Sequence, residues 1–362
     1  MINDHIAGLR KRIDEIDGQL LDLLNRRMDI AIHINHEKKK TAAPVYYPSR
    51  EAFILSRLTR LNRGPLKNDL IRHIFREILS ASRALTAPQR ISFLGPDGSF
   101  SHQAALIEFG SASPLAPAKD IPEIFSEVEY GTCDFGVVPI ENSINGTVPQ
   151  TLDLLTDTGL LIAREVFVPV SYTLAARRGV RLNSVRRVYA HPQAAAQCRR
   201  WLREHLPNAT IVDTDSNSRS ATLVRTKANA AAITTGLAAE LYRLGTIAEK
   251  LEENPRNVTR FVVMGRIMPD STDDNKTSVL FAVKDRAGAL YSALKPFSEH
   301  RVNLTKIESR PSKKKAWEYL FFVDIDGHVE DPKIRKAIAA LKTHTVFFKF
   351  LGSYPKTRQE IL

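Results

Sequence analysis

Gly136-Val137-Val138-Pro139-Ile140-Glu141-Asn142-Ser143 is an apolar run that stops abruptly in three polar side chains. Such a run reads as a strand buried in a sheet, and the carboxyl ends of sheet strands are where α/β proteins place their ligands. Upstream, Phe93-Leu94-Gly95-Pro96-Asp97-Gly98-Ser99-Phe100-Ser101-His102 reads as strand, glycine turn and a helix opened by hydroxyl residues. The free N–H groups of that opening favour an anion, although a plain strand-to-helix turn has the same residues. Tyr189-Ala190-His191-Pro192-Gln193, with Gln197 one turn into the next helix, and Asn257-Val258-Thr259-Arg260-Phe261 entering the strand Phe261–Met264 complete the pattern. His191 by itself reads as a structural turn residue. Short β-rich runs alternating with helices over residues 90–267 predict α/β layers with a largely parallel sheet.

Working outward, Pro269 to Asn275 is a polar linker. Beyond it the pattern predicts strand 277–284, helix 288–300, strand 303–309, strand 318–325, helix 331–342 and strand 345–351. This βαββαβ order is a ferredoxin-like α+β unit over 276–354, small enough to need a partner sheet or domain for burial. Ahead of the α/β region, Ile6, Leu9, Ile13, Ile16, Leu20, Leu23, Leu24, Ile30 and Ile34 recur at helical spacing, predicting one helix to Lys40. At about 1.5 Å per residue it is about 50 Å long, so it is expected to pack against another chain. Pro44 and Pro48 interrupt it, Ser49 is placed to cap a second helix over 50–61, and Gly64-Pro65 precedes a third over 68–85. Residues 1–87 are therefore expected to be a three-helix unit.

A chain of 362 residues predicts two or three domains. Lys and Arg number 52 against 40 Asp and Glu, and the first 90 residues hold 17 basic and 10 acidic side chains. Such a surplus suits nucleic acid, an anionic membrane or a small polyanionic substrate. The arginines are interleaved with a helical apolar stripe, and no zinc-finger, RNA-binding or P-loop pattern is present, which argues against nucleic acid. No apolar run is long enough for a membrane span and no signal-peptide core opens the chain, so a cytoplasmic location is expected. Cys133 and Cys198 are too few for a disulfide scaffold or a thiolate metal site and are expected to be buried and inert; no metal or cofactor is expected.

Arg27 and Lys38 stand eleven residues apart, about 16 Å along a helix and within about 20° of one face, so their long side chains can bracket a small anion. Arg10 lies about 25 Å before Arg27 along the same axis and cannot reach that anion in its own chain. A site using all three needs a second copy of the helix; otherwise they are solvated surface charges.

These residues, with Leu9-Arg10-Lys11-Arg12-Ile13-Asp14-Glu15-Ile16-Asp17, Leu23-Leu24-Asn25-Arg26-Arg27, Pro44-Val45-Tyr46 and Arg50-Glu51, resemble the all-helical chorismate mutase family. The resemblance implies an intertwined dimer in which Arg10 of the second copy and Arg27 grip the chorismate carboxylates. Lys38 then donates to the ether oxygen, Arg50 and Glu51 complete the site, and Glu51 receives the ring hydroxyl. Ser82 marks the last helix, where the family carries Gln or Glu four residues on as a second ether-oxygen donor. Thr86 stands there, and Tyr47 replaces the usual Asp before the dipeptide preceding Arg50. A short hydroxyl in place of that donor implies a weak mutase, or a helical unit that is only structural.

The Gly-Pro-x-Gly, Pro-Ile-Glu-Asn-Ser, His-Pro-Gln and Thr-Arg-Phe elements together resemble prephenate dehydratase. That implies a two-lobed α/β fold in which Thr259 is the catalytic hydroxyl, relaying from a neighbour such as Glu141, while Arg260 holds a substrate carboxylate and Ser99, Ser101, Asn142 and Ser143 orient the rest. Arg286-Ala287-Gly288-Ala289-Leu290, Asn303-Leu304 and Glu308-Ser309-Arg310-Pro311 resemble the regulatory ACT domain. By that likeness Gly288, Ala289, Leu290, Asn303, Leu304, Glu308, Ser309 and Arg310 bind L-phenylalanine between two copies. The whole chain thus resembles the bifunctional chorismate mutase/prephenate dehydratase family, acting on chorismate and prephenate as a homo-oligomer, dimer or tetramer. Arogenate as substrate, a non-catalytic small-anion binder and a basic nucleic-acid binder are the competing readings.

Overall fold

Helical spacing of the apolar residues produces one continuous helix at the amino end, α1 (Ile2–Lys40), followed by α2 (Pro48–Leu61) and α3 (Asn68–Thr86). The computed structural model describes residues 2–40, 48–311 and 319–357. Pro44-Val45-Tyr46 and Tyr47, quoted for the helical resemblance, lie outside the described residues. Ser49 is not a cap: α2 already begins at Pro48, whose fixed φ suits a first turn, and Ser49 is buried inside that turn. The apolar stripe of α1 faces outward, with Ile16 at 53% and Leu23 at 58% exposure.

The α/β region has two lobes. The first contains β1 (Ile91–Leu94), α4 (Phe100–Phe109), β2 (Leu115–Ala118), α5 (Ile121–Glu129), β3 (Phe135–Asn142), β4 (Gly146–Thr147), α6 (Pro149–Asp157) and β5 (Leu161–Pro169). The second contains β6 (Thr173–Ala176), β7 (Arg187–Ala190), α7 (Pro192–Gln197), α8 (Arg199–His205), β8 (Thr210–Asp213), α9 (Asn217–Val224), β9 (Ala230–Thr234), α10 (Gly236–Leu241) and β10 (Gly245–Glu249). The chain then returns to the first lobe through β11 (Val258–Gly265).

The strand orders are β2-β1-β3-β11-β5, with β4 on β3, and β10-β6-β9-β7-β8. The largely parallel sheet expected from sequence is replaced by two mixed sheets. β11 re-enters from the second lobe in the opposite sense and inserts antiparallel between β3 and β5, while β6 and β10 run antiparallel in the second sheet. Alternation of strands and helices reveals layering, but the direction of a returning strand depends on where its connection begins.

The third unit contains β12 (Asn275–Ala282), α11 (Ala289–Glu299), β13 (Leu304–Pro311), β14 (Tyr319–Asp326), α12 (Pro332–Thr343) and β15 (Phe347–Pro355), in sheet order β13-β14-β12-β15. Its helices cover one face around Phe281, Phe297, Ile334 and Leu341. Its other face shares a core with the first lobe, where Leu280, Phe322, Leu351 and Tyr354 pack with Ile124, Val138, Ile162 and Val262. The partner surface that so small a sheet requires is thus supplied by its own chain. Gly352 makes the close approach possible, because a side chain there would meet the Ile162 backbone. No helix among the described residues is long and apolar enough to cross a membrane.

Candidate active site

In the first lobe β1 and β3 run parallel and β11 opposes them, so Leu94, Asn142 and Thr259 all fall at the carboxyl edge of the sheet. In the second lobe β7, β8 and β9 are parallel, and their carboxyl ends carry His191, Ser216 and Thr235. The lobes meet edge to edge: the Thr235 hydroxyl donates to the Gly98 carbonyl at 2.6 Å. Gly98 has φ +82°, and a Cβ there would strike Ala238, so only glycine allows this crossing. A cleft bounded by the carboxyl edges of two sheets is a natural ligand site.

At its floor Thr259 and Asn142 are register partners on β11 and β3. The Asn142 amide donates to Thr259 Oγ1 at 2.9 Å and to Asn257 Oδ1 at 2.8 Å, and Asn257 Nδ2 donates to Gln197 Oε1 at 3.0 Å. This chain ties the Thr259 hydroxyl to α7 of the second lobe. Because the amide fills a lone pair of Thr259, the threonine proton remains available to donate to a ligand. Backbone N–H groups of Ile144 and Asn145 hold Asn142 Oδ1, both at 3.0 Å, which fixes the amide orientation. Ser143 closes the corner by accepting from the Val258 N–H at 3.0 Å.

Ser99 is the cap of α4: its hydroxyl accepts from the His102 N–H at 3.2 Å and donates to the Leu94 carbonyl at 2.9 Å. Ser101 is buried in the first turn. Burial holds the His102 imidazole below its ordinary pKa, against the pull of Asp97, and its Nδ1 accepts the Gly98 N–H at 2.9 Å. His191 is likewise a cap, for α7, in keeping with its reading as a turn residue. Asn257 has no role assigned by the motif; its signal in the sequence is its position two residues before Thr259, which extended backbone places on the same face.

Glu141 and Arg260 do not join this cluster. They are register partners one position along from Asn142 and Thr259, so their side chains leave by the opposite face of the sheet. Arg260 is 6% exposed, and its Nη1 donates to Asp324 Oδ2 at 2.6 Å. Its Nη2 donates to Tyr354 Oη at 3.0 Å, and its Nε lies 2.9 Å from Glu165 Oε2. Burial alone would lower its pKa, but Asp324, Tyr354 and Glu165 hold it well above the ordinary value. Glu141 Oε2 lies 2.8 Å from Lys306 Nζ. Glu141 and Arg260, expected to relay a proton and to hold a carboxylate, are both engaged here between the first-lobe sheet and the third unit.

In the helical unit Arg27 Nη1 is buried and makes no hydrogen bond among the described residues. Burial lowers the Arg27 pKa, with Glu51 opposing, and burial followed by the Arg50 charge lowers that of Lys38. Arg27 thus faces Glu51 and Lys38 faces Arg50, and the Glu51 pKa is itself raised by burial against the pull of Arg83. Glu51 Oε1 accepts from Arg83 Nη1. Arg50 is exposed and stacks over Phe53, and Arg10 lies exposed on α1, away from this group. Ser82 is half-buried, and the Thr86 hydroxyl is turned back to donate to the Ser82 carbonyl at 2.9 Å.

In the third unit Gly288 opens α11 with φ +76°, Ala289 is buried, Leu290 is half-buried, and Asn303 donates to Asp326 at 2.8 Å beside Leu304. Glu308 and Arg310 instead reach the first lobe. Glu308 accepts from the Thr147 hydroxyl at 3.1 Å, while Arg310 donates to the Pro149 carbonyl at 2.7 Å and pairs with Asp153 at 3.3 Å. Ser309 is exposed on the other face of β13. Within one chain, Glu308 and Arg310 are thus interdomain contacts.

The fold and cleft define a two-lobed α/β enzyme that carries a helical unit ahead of it and an ACT-type sheet packed on its back. Family models agree unit by unit: Chorismate mutase type II matches residues 9–87, Prephenate dehydratase 91–269 and ACT domain 277–343. The chain is 41% identical over 357 residues to the bifunctional chorismate mutase/prephenate dehydratase of Aquifex aeolicus, covering 98% of each chain. It is 40% identical over 358 residues to that of Pseudomonas aeruginosa, again covering 98% of each. Among solved structures, prephenate dehydratase from Arthrobacter aurescens in complex with L-Phe superposes with a TM-score of 0.68 at 38% identity, over 74% of this chain and 90% of that one. The chain belongs to the bifunctional chorismate mutase/prephenate dehydratase family.

Proposed function

We propose that the chain converts chorismate to prephenate in its helical unit, then prephenate to phenylpyruvate, water and CO₂ in the cleft, under feedback by L-phenylalanine. The observation that carries the dehydratase reading is the Asn142-to-Thr259 hydrogen bond at the meeting of the two sheet edges. As the ring carboxylate leaves as CO₂, the electrons of its C–C bond enter the ring and expel the hydroxyl opposite. A fixed hydrogen-bond donor at that oxygen stabilises the departing charge, and Thr259 keeps its proton for that purpose. Ser143 and the α4 opening at Ser99 and Ser101 orient the substrate.

The rearrangement of chorismate needs no nucleophile, only a folded substrate and fixed cations. The unsatisfied Arg27 donor facing Glu51, and Lys38 facing Arg50, support this reading. Arg10 joins them from a second copy, and the exposed stripe of α1 is the surface that a homodimer buries. L-Phenylalanine binds between two ACT-type units at Gly288, Ala289, Leu290, Asn303, Leu304 and the Glu308-Ser309-Arg310 segment. We place the enzyme in the cytoplasm, where the buried thiols of Cys133 and Cys198, pushed up by burial to about 11 and about 12, stay reduced.

Purified protein given chorismate, and separately prephenate, is expected to form phenylpyruvate from both, with L-phenylalanine slowing the second step. Thr259→Ala is expected to stop dehydration while leaving chorismate consumption intact. Ligand capture without turnover, or near-full dehydration by Thr259→Ala, overturns the reading.

A further inference from the structure

β3 and β11 each carry, at consecutive positions, one residue for each face of the sheet. Asn142 and Thr259 face the cleft; their chain neighbours Glu141 and Arg260 face the third unit. The second pair is the hub of a buried network. Asp324 on β14 accepts from Arg260 and, through Oδ1, from Ser278 at 2.5 Å, and Ser278 in turn contacts Tyr354 Oη at 2.7 Å. Glu165, fully buried on β5, also accepts from Lys276 of β12 at 2.7 Å. Lys306 pairs with Glu141 from β13, the strand that begins at Leu304 beside Asn303.

The contacts of Arg260 are directional and enclosed, so a shift of β14 relative to β11 has few soft coordinates in which to dissipate. Breaking a buried pair costs far more than rotating an exposed side chain. A displacement of the regulatory sheet is therefore transmitted to the backbone at Arg260, and the same backbone sets the Thr259 hydroxyl against Asn142.

Resting on the dehydratase reading above, we infer that Arg260 is a positioning residue that transmits the state of the third unit's sheet, through Asp324, to Thr259 on the other face of the strand. Lys306 with Glu141 is the parallel link to Asn142. Arg260 thus acts on the rate of dehydration and its feedback, and does not hold the substrate carboxylate.

The test uses the full chain with prephenate, varying L-phenylalanine, and follows mutase turnover and Tm to certify folding. Asp324→Asn and Arg260→Lys are expected to lower dehydratase kcat at least tenfold with KM for prephenate changed less than about twofold. They also raise the L-phenylalanine needed for half inhibition at least tenfold. Lys306→Met, at a half-buried and more tolerant position, is expected to shift inhibition in the same direction with unaltered Tm. Arg260→Lys raising KM alone, or Asp324→Asn and Lys306→Met both responding to L-phenylalanine like the parent, overturns the inference. If the parent chain itself fails to dehydrate prephenate or to respond to L-phenylalanine, the underlying functional reading is what fails.

Discussion

Arg83 of α3 donates to the carbonyl of Phe109, the last residue of α4, at 2.6 Å, and the same guanidinium holds Glu51 of α2. The carboxyl end of the helix that opens at the cleft is thus fastened to Glu51, a residue of the proposed mutase site. Cations at helix carboxyl ends are favoured by the dipole, and here the cation also neutralises a buried carboxylate. Arg83→Met removes the counter-charge of Glu51 and the donor to the Phe109 carbonyl, and is expected to lower stability by about 3 kcal/mol. Denaturant unfolding followed by far-UV circular dichroism measures the loss.

The Asn142 amide donates to Thr259 Oγ1. Asn142→Asp is nearly isosteric but replaces the donor with an acceptor, which draws the threonine proton away from the cleft. Dehydration is expected to fall by about 10²-fold, comparable to the loss of a charge-stabilising donor, with Tm little changed. Steady-state assays with prephenate check this, and wild-type turnover by the variant would remove Asn142 from the mechanism.

Thr86 spends its hydroxyl on the Ser82 carbonyl one turn back, as threonines inside helices do. Asn35 of α1, between Arg27 and Lys38 in the chain, donates to the Thr86 carbonyl at 2.8 Å, so Thr86→Gln adds an amide next to that stretch of α1. Chorismate consumption is expected to rise at least tenfold, with dehydration of added prephenate unaffected.

The stripe of α1 is a surface made for burial. Ile16→Glu places a charge in the middle of it, between Ile13 and Leu20, where each buried aliphatic side chain contributes about 1.5–3 kcal/mol. Sedimentation is expected to show a smaller species, and mutase turnover to vanish because Arg10 and Arg27 then belong to separate particles.

Asp324 has its pKa lowered from 3.8: burial alone would raise it, but Arg260 and Lys276 outweigh that cost. A depressed folded-state pKa contributes stability that is present above 3.8 and lost as pH falls through the folded value. Thermal melts of the parent chain are therefore expected to fall steeply below about pH 4. The Tm gap between the parent and Asp324→Asn should narrow over the same window.

Much of this molecule was legible one residue at a time. Periodicity located the long helix to its end at Lys40, and the third unit's elements fell within a few residues of their expected bounds, such as helix 331–342 against Pro332–Thr343. The polar ends of apolar runs marked Asn142 and Thr259, because only a strand end can present such groups to a ligand while its body stays buried.

What the linear chain could not reveal was which face of β3 and β11 looks into the cleft and which is covered by the third unit. Thr259-Arg260 and Glu141-Asn142 read as single clusters, yet strand alternation sends their members to opposite sides of one sheet. The local pattern determined the elements, their order and the chemistry available at their ends. Tertiary packing alone decided that a third unit's sheet covers the back of β11, because burial of Asp324 and Glu165 there is tolerable only with Arg260 and Lys276 beside them. Those partners come from strands more than sixty residues apart in the chain.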